Sequence, residues 1–327
     1  MKQPKDRPIR WGIIGLGKIA NKFAEDLKKT KGAQLYAVAS RNQEKADSFA
    51  SQHSVKFAYD SYLDLVKKAN VDAVYIATPH SFHKEHAILC LNHKKAVLCE
   101  KPLAMNLEEV EEMIQVAKAN DTLLMEALWT YFLPHYQFVL NELASKKYGN
   151  ITKLDADFGF QPFADMETRV FNKSLGGGSL LDIGIYPIFA ALSTLGKPID
   201  IDAKAIFFEN GVDAECEMIF NYGNSVKAFL KSTLLEKTPT KAIFYCEKGI
   251  IQINSRFHEP TTVTVIANGK EETFDFDYKT IGYSFELLHF NELIRQSKTE
   301  SPIMNFDFSR NLIKLMDDVR HLINLTY

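Results

Sequence analysis

Six residues near the amino terminus, Gly15-Leu16-Gly17-Lys18-Ile19-Ala20, read GxGxxA directly after the apolar run 9–14 and before an amphipathic stretch. In that setting the pattern has a mechanical meaning. Gly15 permits a tight turn, Gly17 lets backbone approach a pyrophosphate, and Ala20 lets helix and strand pack closely. The start of the helix then offers unpaired N–H groups and the positive end of its dipole to phosphate oxygens. About 20 residues further on, an NAD-binder usually places a carboxylate on the adenosine ribose. This chain has Ala39-Ser40-Arg41-Asn42 there, with no acid. A hydroxyl and a guanidinium suit a 2′-phosphate through charge-assisted bonds. Ser40 and Arg41 therefore favour NADP(H) and leave use of NAD(H) open.

Three further segments, Ala77-Thr78-Pro79-His80, Cys99-Glu100-Lys101-Pro102 and Met125-Glu126-Ala127-Leu128-Trp129, follow apolar runs that read as parallel strands. They fall at the carboxyl ends of those strands, where ligands of open α/β sheets bind. Glu100 and Lys101 set a charged pair at the end of a buried strand, and Pro102 is suited to fix the loop through a cis bond. Later in the chain, Gly176-Gly177-Gly178 precedes Ser179-Leu180-Leu181-Asp182-Ile183-Gly184-Ile185-Tyr186-Pro187. The glycines suit a turn or a close approach of backbone to ligand, and Ser179 suits a helix cap. Asp182 and Tyr186, at i and i+4, share one helical face. Pro187 predicts a kink or a restart at Tyr186. Taken alone, such a carboxylate and phenol read at least as readily as structural residues.

The elements that position these groups follow from the periodicity. Strands are expected at 9–14, 34–39, 55–58, 73–77, 96–99 and 123–126, alternating with helices at 18–29, 43–51, 62–68, 83–92 and 107–119. Strict alternation, with strands too apolar for a wet face, predicts a doubly wound parallel sheet covered on both sides. This defines a first domain, 1–127. In the second, 128–327, helices at 135–146 and 176–195 flank a strand-dominated stretch. Its strands at 214–235, 243–253 and 262–276 are broken by turns at Tyr222-Gly223-Asn224, Lys248-Gly249 and Asn268-Gly269. Tight turns predict an antiparallel sheet in an α+β domain. Met218, Phe220, Phe229 and Leu235 are expected on a face that one helix layer leaves uncovered. Helices at 285–296 and 307–325 close the chain.

Composition narrows the partners. Lys plus Arg is 39 against 41 for Asp plus Glu, which favours neither nucleic acid nor an anionic membrane. No apolar run approaches the roughly 20 residues that span a bilayer. The first ten residues are charged rather than export-signal-like, so a cytoplasmic protein is expected. Cys90, Cys99, Cys216 and Cys246 are scattered without CxxC spacing, reading as reduced thiols rather than metal ligands or disulfides.

In combination, the stretches GLGKIA, VASR, ATPHSFH, AVLCEKPLAMN, LLMEALWTYFLP, GGGSLLDIGIYP and GYSFELLHFNELI resemble the glucose–fructose oxidoreductase / inositol dehydrogenase (Gfo/Idh/MocA) family. They come in family order over essentially the whole chain, and look most like the branch of dimeric dihydrodiol dehydrogenases and sugar dehydrogenases. The resemblance implies a Rossmann domain followed by an open-faced sheet that commonly mediates dimers. It implies that Lys101 and Tyr186 are the catalytic pair, with Asp182 beside them. It also implies cofactor contacts from Thr78, Pro79, His80, His83, Glu100 and Lys101. The expected chemistry is hydride transfer between nicotinamide and a secondary alcohol of a sugar, polyol or dihydrodiol. Tyr186 then exchanges the proton, and Trp129, with Phe160 and Tyr283 from the sheet, walls the pocket. Two departures qualify the substrate. Inositol-dehydrogenase-like members carry His at the position of Tyr186, and the dihydrodiol branch often has Arg at the position of Tyr131. A non-catalytic NADP(H) sensor would need the features up to Arg41 but has no use for Lys101 and Tyr186.

Overall fold

The computed structural model describes residues 7–162 and 168–327; the first six residues of the charged opening stretch lie outside it. Strands β1 (Ile9–Ile14), β2 (Ala33–Ala39), β3 (Phe57–Tyr59), β4 (Ala73–Ile76), β5 (Ala96–Glu100) and β6 (Leu124–Ala127) form an all-parallel sheet. Its order, β3-β2-β1-β4-β5-β6, reverses direction between β1 and β4, as in a dinucleotide-binding sheet. Every residue of β4 and β6 is buried, as a sheet sandwiched by helices requires. Those helices are α1 (Lys18–Lys29), α2 (Gln43–His53), α3 (Tyr62–Lys68), α4 (His83–Asn92) and α5 (Leu107–Ala119). Helix α1 turns Ala20, Phe23, Ala24 and Leu27 inward, the i, i+3, i+4, i+7 stripe of an amphipathic helix. Asn42, Ser61 and Asn106 each accept a backbone N–H three residues on and so start α2, α3 and α5.

The second part of the chain contributes α6 (Pro134–Ala144), a π-helical turn (Leu180–Gly184) leading into α7 (Ile185–Leu195), and eight strands. These are β7 (Ile151–Gly159), β8 (Asp200–Phe207), β9 (Asp213–Asn221), β10 (Lys227–Thr233), β11 (Ala242–Cys246), β12 (Gly249–Ile253), β13 (Val263–Ala267) and β14 (Lys270–Phe274). They pair in the order β14-β13-β12-β11-β7-β10-β9-β8. Pairing is antiparallel except between β7 and β10. The expected antiparallel sheet is thus present but mixed at its centre. Strands β7 and β8, absent from the expected strands, carry their own period-2 signal, with Leu154 and Ala156 buried between Lys153, Asp155 and Asp157. At the β13–β14 turn, Asn268 and Gly269 both take positive φ, 52° and 71°, the two-residue hairpin geometry expected of Asn-Gly.

The sheet has one apolar face and one mixed face. Met218 and Phe220 are 1% and 0% exposed, so the expectation of an uncovered position fails for them: they alternate inward along β9. Phe229 and Leu235 do lie outward, at 41% and 40% exposure. The expectation that no run approaches membrane-spanning length is corrected by Lys173–Leu195, which is long and apolar enough to cross a membrane, yet 94% of its most apolar window is buried within the protein. Its apolarity serves the core.

Two compact units result, Met1–Trp129 with Lys279–Arg310, and Thr130–Tyr278 with Asn311–Tyr327. The expected second domain, 128–327, therefore gives up a segment to the first. That segment contains α8 (Tyr283–Arg295), and the division falls inside α9 (Phe306–Leu322). The cause is a buried carboxylate. Asp26 of α1, fully buried, accepts the backbone N–H groups of Ile281, Gly282, Tyr283 and Ser284 at 2.8–3.4 Å. It satisfies the orphan donors that open α8 and meets their dipole with negative charge. Trp11 Nε1 donates to Asn291 Oδ1 at 3.0 Å, and Phe23 meets Tyr283 edge to face.

Candidate active site

In the first unit the parallel strands deliver the singled-out loops to one edge of the sheet. Gly15, at φ +83°, ends β1; a Cβ there would lie 2.5 Å from the backbone of Ala77 and Thr78 beyond β4. Only glycine lets the two loops approach so closely. A Cβ on Gly17 would face open space, and Gly17 begins α1 without any side-chain cap. Exposed Lys18 and Ile19 and fully buried Ala20 follow. This is a cradle of backbone amides that fits a dinucleotide's phosphates.

At the end of β2, Ser40 is buried, and its Oγ accepts the N–H of Asn42 at 3.3 Å. Arg41 is exposed, its guanidinium 5.7 Å from the centre of the Phe82 ring. Arg41, Ser61, Tyr62, Thr78, Pro79 and His86 line a cleft of about 370 Å³. His86 bonds Thr78 Oγ1 at 3.0 Å. Burial, reinforced by Arg41, pushes its imidazole down to about 4, so it is neutral near pH 7 and Arg41 provides the cleft's positive charge.

Behind this surface the loops are tied together. His83 is fully buried, with Nδ1 2.8 Å from the Pro102 carbonyl and Nε2 2.9 Å from the Thr78 carbonyl. It braces two of the loops from within, while His80 packs near it at 5.6 Å. Glu100 accepts the hydroxyl of fully buried Tyr75 and, at 3.3 Å, the N–H of Lys101. The Lys101–Pro102 bond is cis. One residue on, the Leu103 N–H donates to Glu126 at 2.9 Å, as does Ser309 Oγ at 2.7 Å. Burial pushes Glu126 up to about 7. Glu286 of α8 is fully buried with no hydrogen-bond partner for its carboxyl oxygens among the described residues. Burial, then Glu100, raises it well above the usual carboxylate range. Trp129 and Tyr283 stack at 4.4 Å and 19°. Tyr283 opens α8 rather than lying on the sheet, so its expected origin is corrected, as is that of Phe160, which follows the end of β7.

In the second unit Tyr186 sits in the first turn of α7, 6% exposed. The change of helical geometry comes before it, at the π turn, so Pro187 falls in the first turn of α7. The Tyr186 ring lies 5.6 Å from Phe158 and 4.9 Å from His258; Phe160 packs 6.3 Å from Phe158. Asp182, in the π turn, pairs with Arg169 at 2.7 Å. Ser179 does not cap the helix through its side chain; its hydroxyl goes to Asp213 at 2.8 Å.

Residues 9–128 match the family model described as "Oxidoreductase family, NAD-binding Rossmann fold", and residues 136–252 match the "GFO/IDH/MocA C-terminal domain". The protein belongs to the Gfo/Idh/MocA family. Among its relatives is a trans-1,2-dihydrobenzene-1,2-diol dehydrogenase of Xenopus tropicalis, 36% identical over 97% of this chain and 99% of that one. Another is the NADP(+)-dependent scyllo-inositol 2-dehydrogenase IolU of Bacillus subtilis, 34% identical over 98% of each chain. A 3-ketoreductase from Actinomadura kijaniata, solved with NADP and TDP-benzene, superposes with a TM-score of 0.87 at 27% identity, covering 97% of this chain and 98% of that one. That ketoreductase has also been solved with a tyrosine changed to phenylalanine and with a lysine changed to alanine. As a Gfo/Idh/MocA protein the chain is an oxidoreductase with an NAD(P)-binding Rossmann unit.

Several contributors escaped the sequence reading. His258 lies in Phe-His-Glu-Pro, a stretch without motif character, and Arg169 and Asp213 are isolated charges. Tyr75 and Glu286 sit inside strand and helix patterns where they pass for ordinary polar interruptions. For the last two there was a signal: a phenol in an otherwise apolar buried strand, and an acid on the inward stripe of α8.

Proposed function

We propose that the protein is an NADP(H)-preferring dehydrogenase or reductase acting on a secondary alcohol, or the corresponding ketone, of a small cyclic polyol, sugar or diol. The observation that carries this reading is full-length similarity to two enzymes named for such substrates, one of them NADP(+)-dependent. The exposed guanidinium of Arg41, in a cleft that Asp60 and Glu85 also line, supports the preference for a 2′-phosphate. Bound nicotinamide supplies the hydride acceptor or donor. Tyr186 takes the substrate hydroxyl proton in oxidation and returns it in reduction. A free phenol titrates at about 10, too high for an efficient base near neutrality. The role given to the Lys101 ammonium is to favour the ionised phenol and bind oxygen. Asp182, held by Arg169, orients hydroxyl groups, and the stacked Trp129 and Tyr283, with Phe160, offer apolar faces to a ring. The outer face of the second unit's sheet, with Phe229, Ile206 and Ile266 exposed, serves as the contact of a homodimer.

The test is direct. NADPH fluorescence on titration with the protein, followed by initial rates of NADP+ and NAD+ reduction with scyllo-inositol and trans-1,2-dihydrobenzene-1,2-diol, should show binding and NADP+-preferring turnover. Failure to bind NADPH, or inertness toward every polyol, aldose and diol in a broad panel, would remove the reading.

A further inference from the structure

Asp213 opens β9, far from any sequence motif, and is fully buried. Its Oδ2 accepts the Leu180 N–H at 2.6 Å and the Ser179 hydroxyl at 2.8 Å. Ser179 Oγ in turn lies 3.1 Å from Ser232 Oγ on β10. Gly178 has φ +119°, and a Cβ there would fall 1.9 Å from Asp213 Oδ1. At the far end of the π turn, a Cβ on Gly184 would lie 3.0 Å from Ser232 Oγ. The glycines therefore let the turn settle onto β9 and β10, and Asp213 is the polar group that fastens its first residues. From that fastening the chain runs through the π turn to Tyr186, with no intervening loop.

We propose that Asp213 is a positioning residue for Tyr186: its carboxylate pins the Gly178–Leu180 turn and so fixes where the phenol stands, without touching substrate. The inference rests on the reading that Tyr186 handles the proton. Charge fits the role, because a carboxylate facing the N–H groups that open a helical run is held by the dipole as well as by hydrogen bonds. The titratable groups set against it are the Cys216 thiol of its own strand and the phenol of Tyr327, which also lies near Asp182 and Arg320. Burial pushes Asp213 up to about 6 against the pull of its hydrogen bonds. At a pKa of about 6 the carboxyl is half ionised at pH 6 and almost fully ionised only near pH 8, so the fastening of the turn changes with pH across this range.

The experiment compares the full-length wild type, Asp213→Asn and Asp213→Ala by peptide-resolved hydrogen exchange from pH 5 to 8, corrected for intrinsic rates. The same proteins are assayed with NADP+ and scyllo-inositol. In the alanine variant, exchange over 178–186 should rise at least tenfold at pH 8 while β11 and β12 stay protected. Its kcat should fall by roughly tenfold to a hundredfold, as for a slightly displaced catalytic group, with NADPH affinity within twofold of wild type. The asparagine variant keeps the carbonyl acceptor and loses the titration. It should recover part of kcat and show corrected exchange over 178–186 that does not vary between pH 5 and 8, whereas that of the wild type does. Unchanged exchange over 178–186 in Asp213→Ala, or exchange rising alike across the unit's strands, would overturn the proposal. If the alanine variant does not fold, a pH response of Asp213→Asn identical to wild type overturns it instead. Tyr186→Phe, run alongside, separates the two claims. Full activity there defeats the proton-transfer reading, whereas an inactive Tyr186→Phe beside an unimpaired Asp213→Ala defeats only the positioning role.

Discussion

The imidazole of His258 stands 4.9 Å from the phenol ring of Tyr186, tilted by 53°, and the ring of Phe158 lies 4.2 Å from that imidazole. The three rings pack as a cluster, so the position of Tyr186 is held by ring contacts that do not involve its hydroxyl. Tyr186→Phe should therefore keep fold and NADPH binding while kcat falls by roughly 10²–10⁴, the usual loss for a general acid–base. Lys101→Met should lower kcat as well and move the alkaline limb of the rate profile upward. In the double variant the losses should fall short of their product, as they do for two groups that serve one proton. Steady-state kinetics with pH profiles decide the matter; a normal kcat in Tyr186→Phe would remove it from the chemistry.

Arg41→Asp should invert or abolish the preference for NADP(H). The replaced guanidinium is the cleft's cation, and an acid at the tip of the second strand suits a ribose 2′-hydroxyl instead. Fluorescence titration with NADPH and NADH reads this directly. Equal affinities in the unmutated protein would leave Arg41 without the role.

His135 gives the second unit an acid-sensitive term. It is fully buried, with Nδ1 2.6 Å from the Tyr278 hydroxyl and Nε2 3.0 Å from the Phe257 carbonyl, and burial pushes its pKa down to about 4. A histidine whose folded pKa lies below its unfolded value stabilises the fold as the neutral species. That contribution is intact above pH 6.5 and is lost as pH falls from 6.5 towards 4. The shift corresponds to about 3 kcal/mol at most. In His135→Gln, urea unfolding should show lower stability at pH 8 but a shallower decline between pH 6.5 and 4. An unchanged slope would mean that the group does not titrate with unfolding.

The outward face of the second unit's sheet sets Phe229 opposite Ile219 on β9 and Asp155 on β7. Sedimentation of the wild type at micromolar concentration should give a dimer or larger species, and Phe229→Glu should shift it towards monomer while the hydride-transfer site keeps its NADPH affinity. A wild-type monomer would refute the assignment of this face.

Much of the first unit was legible because one signal repeats. Buried parallel strands must be nearly all apolar, so each announces itself, and each binding loop follows directly from a strand end. Even so, β3 runs over Phe57–Tyr59 rather than 55–58, since three half-buried residues carry little period. The second unit was harder. Strand β7 pairs with β10 in parallel across a long intervening stretch, a long-range choice that no local pattern encodes. The catalytic candidates Lys101 and Tyr186 stood out through their motif neighbours, whereas the groups that brace them do so through space: His83 for the Thr78 and Pro102 loops, Glu126 for Leu103, and Asp213 for Leu180. An isolated aspartate in a strand looks the same in sequence whether it faces water or fastens a turn.

The capping of α8 by Asp26 has a consequence for how the chain matures. A ribosome delivers residues 1–129 first, but the helix that Asp26 caps arrives only after about 150 more residues have been made. Until then the nascent first unit holds a buried-type carboxylate, Trp11 and Phe23 without their partners. Closing a loop of that length costs little more than closing a short one, so the delay bears on timing and exposure rather than on final stability. The second unit's hairpins are local and need no such wait. Both units close late, the first waiting for residues 279–310 and the second for 311–327. A chain stalled before residue 279 would present an unfinished nucleotide-binding unit to chaperones and proteases.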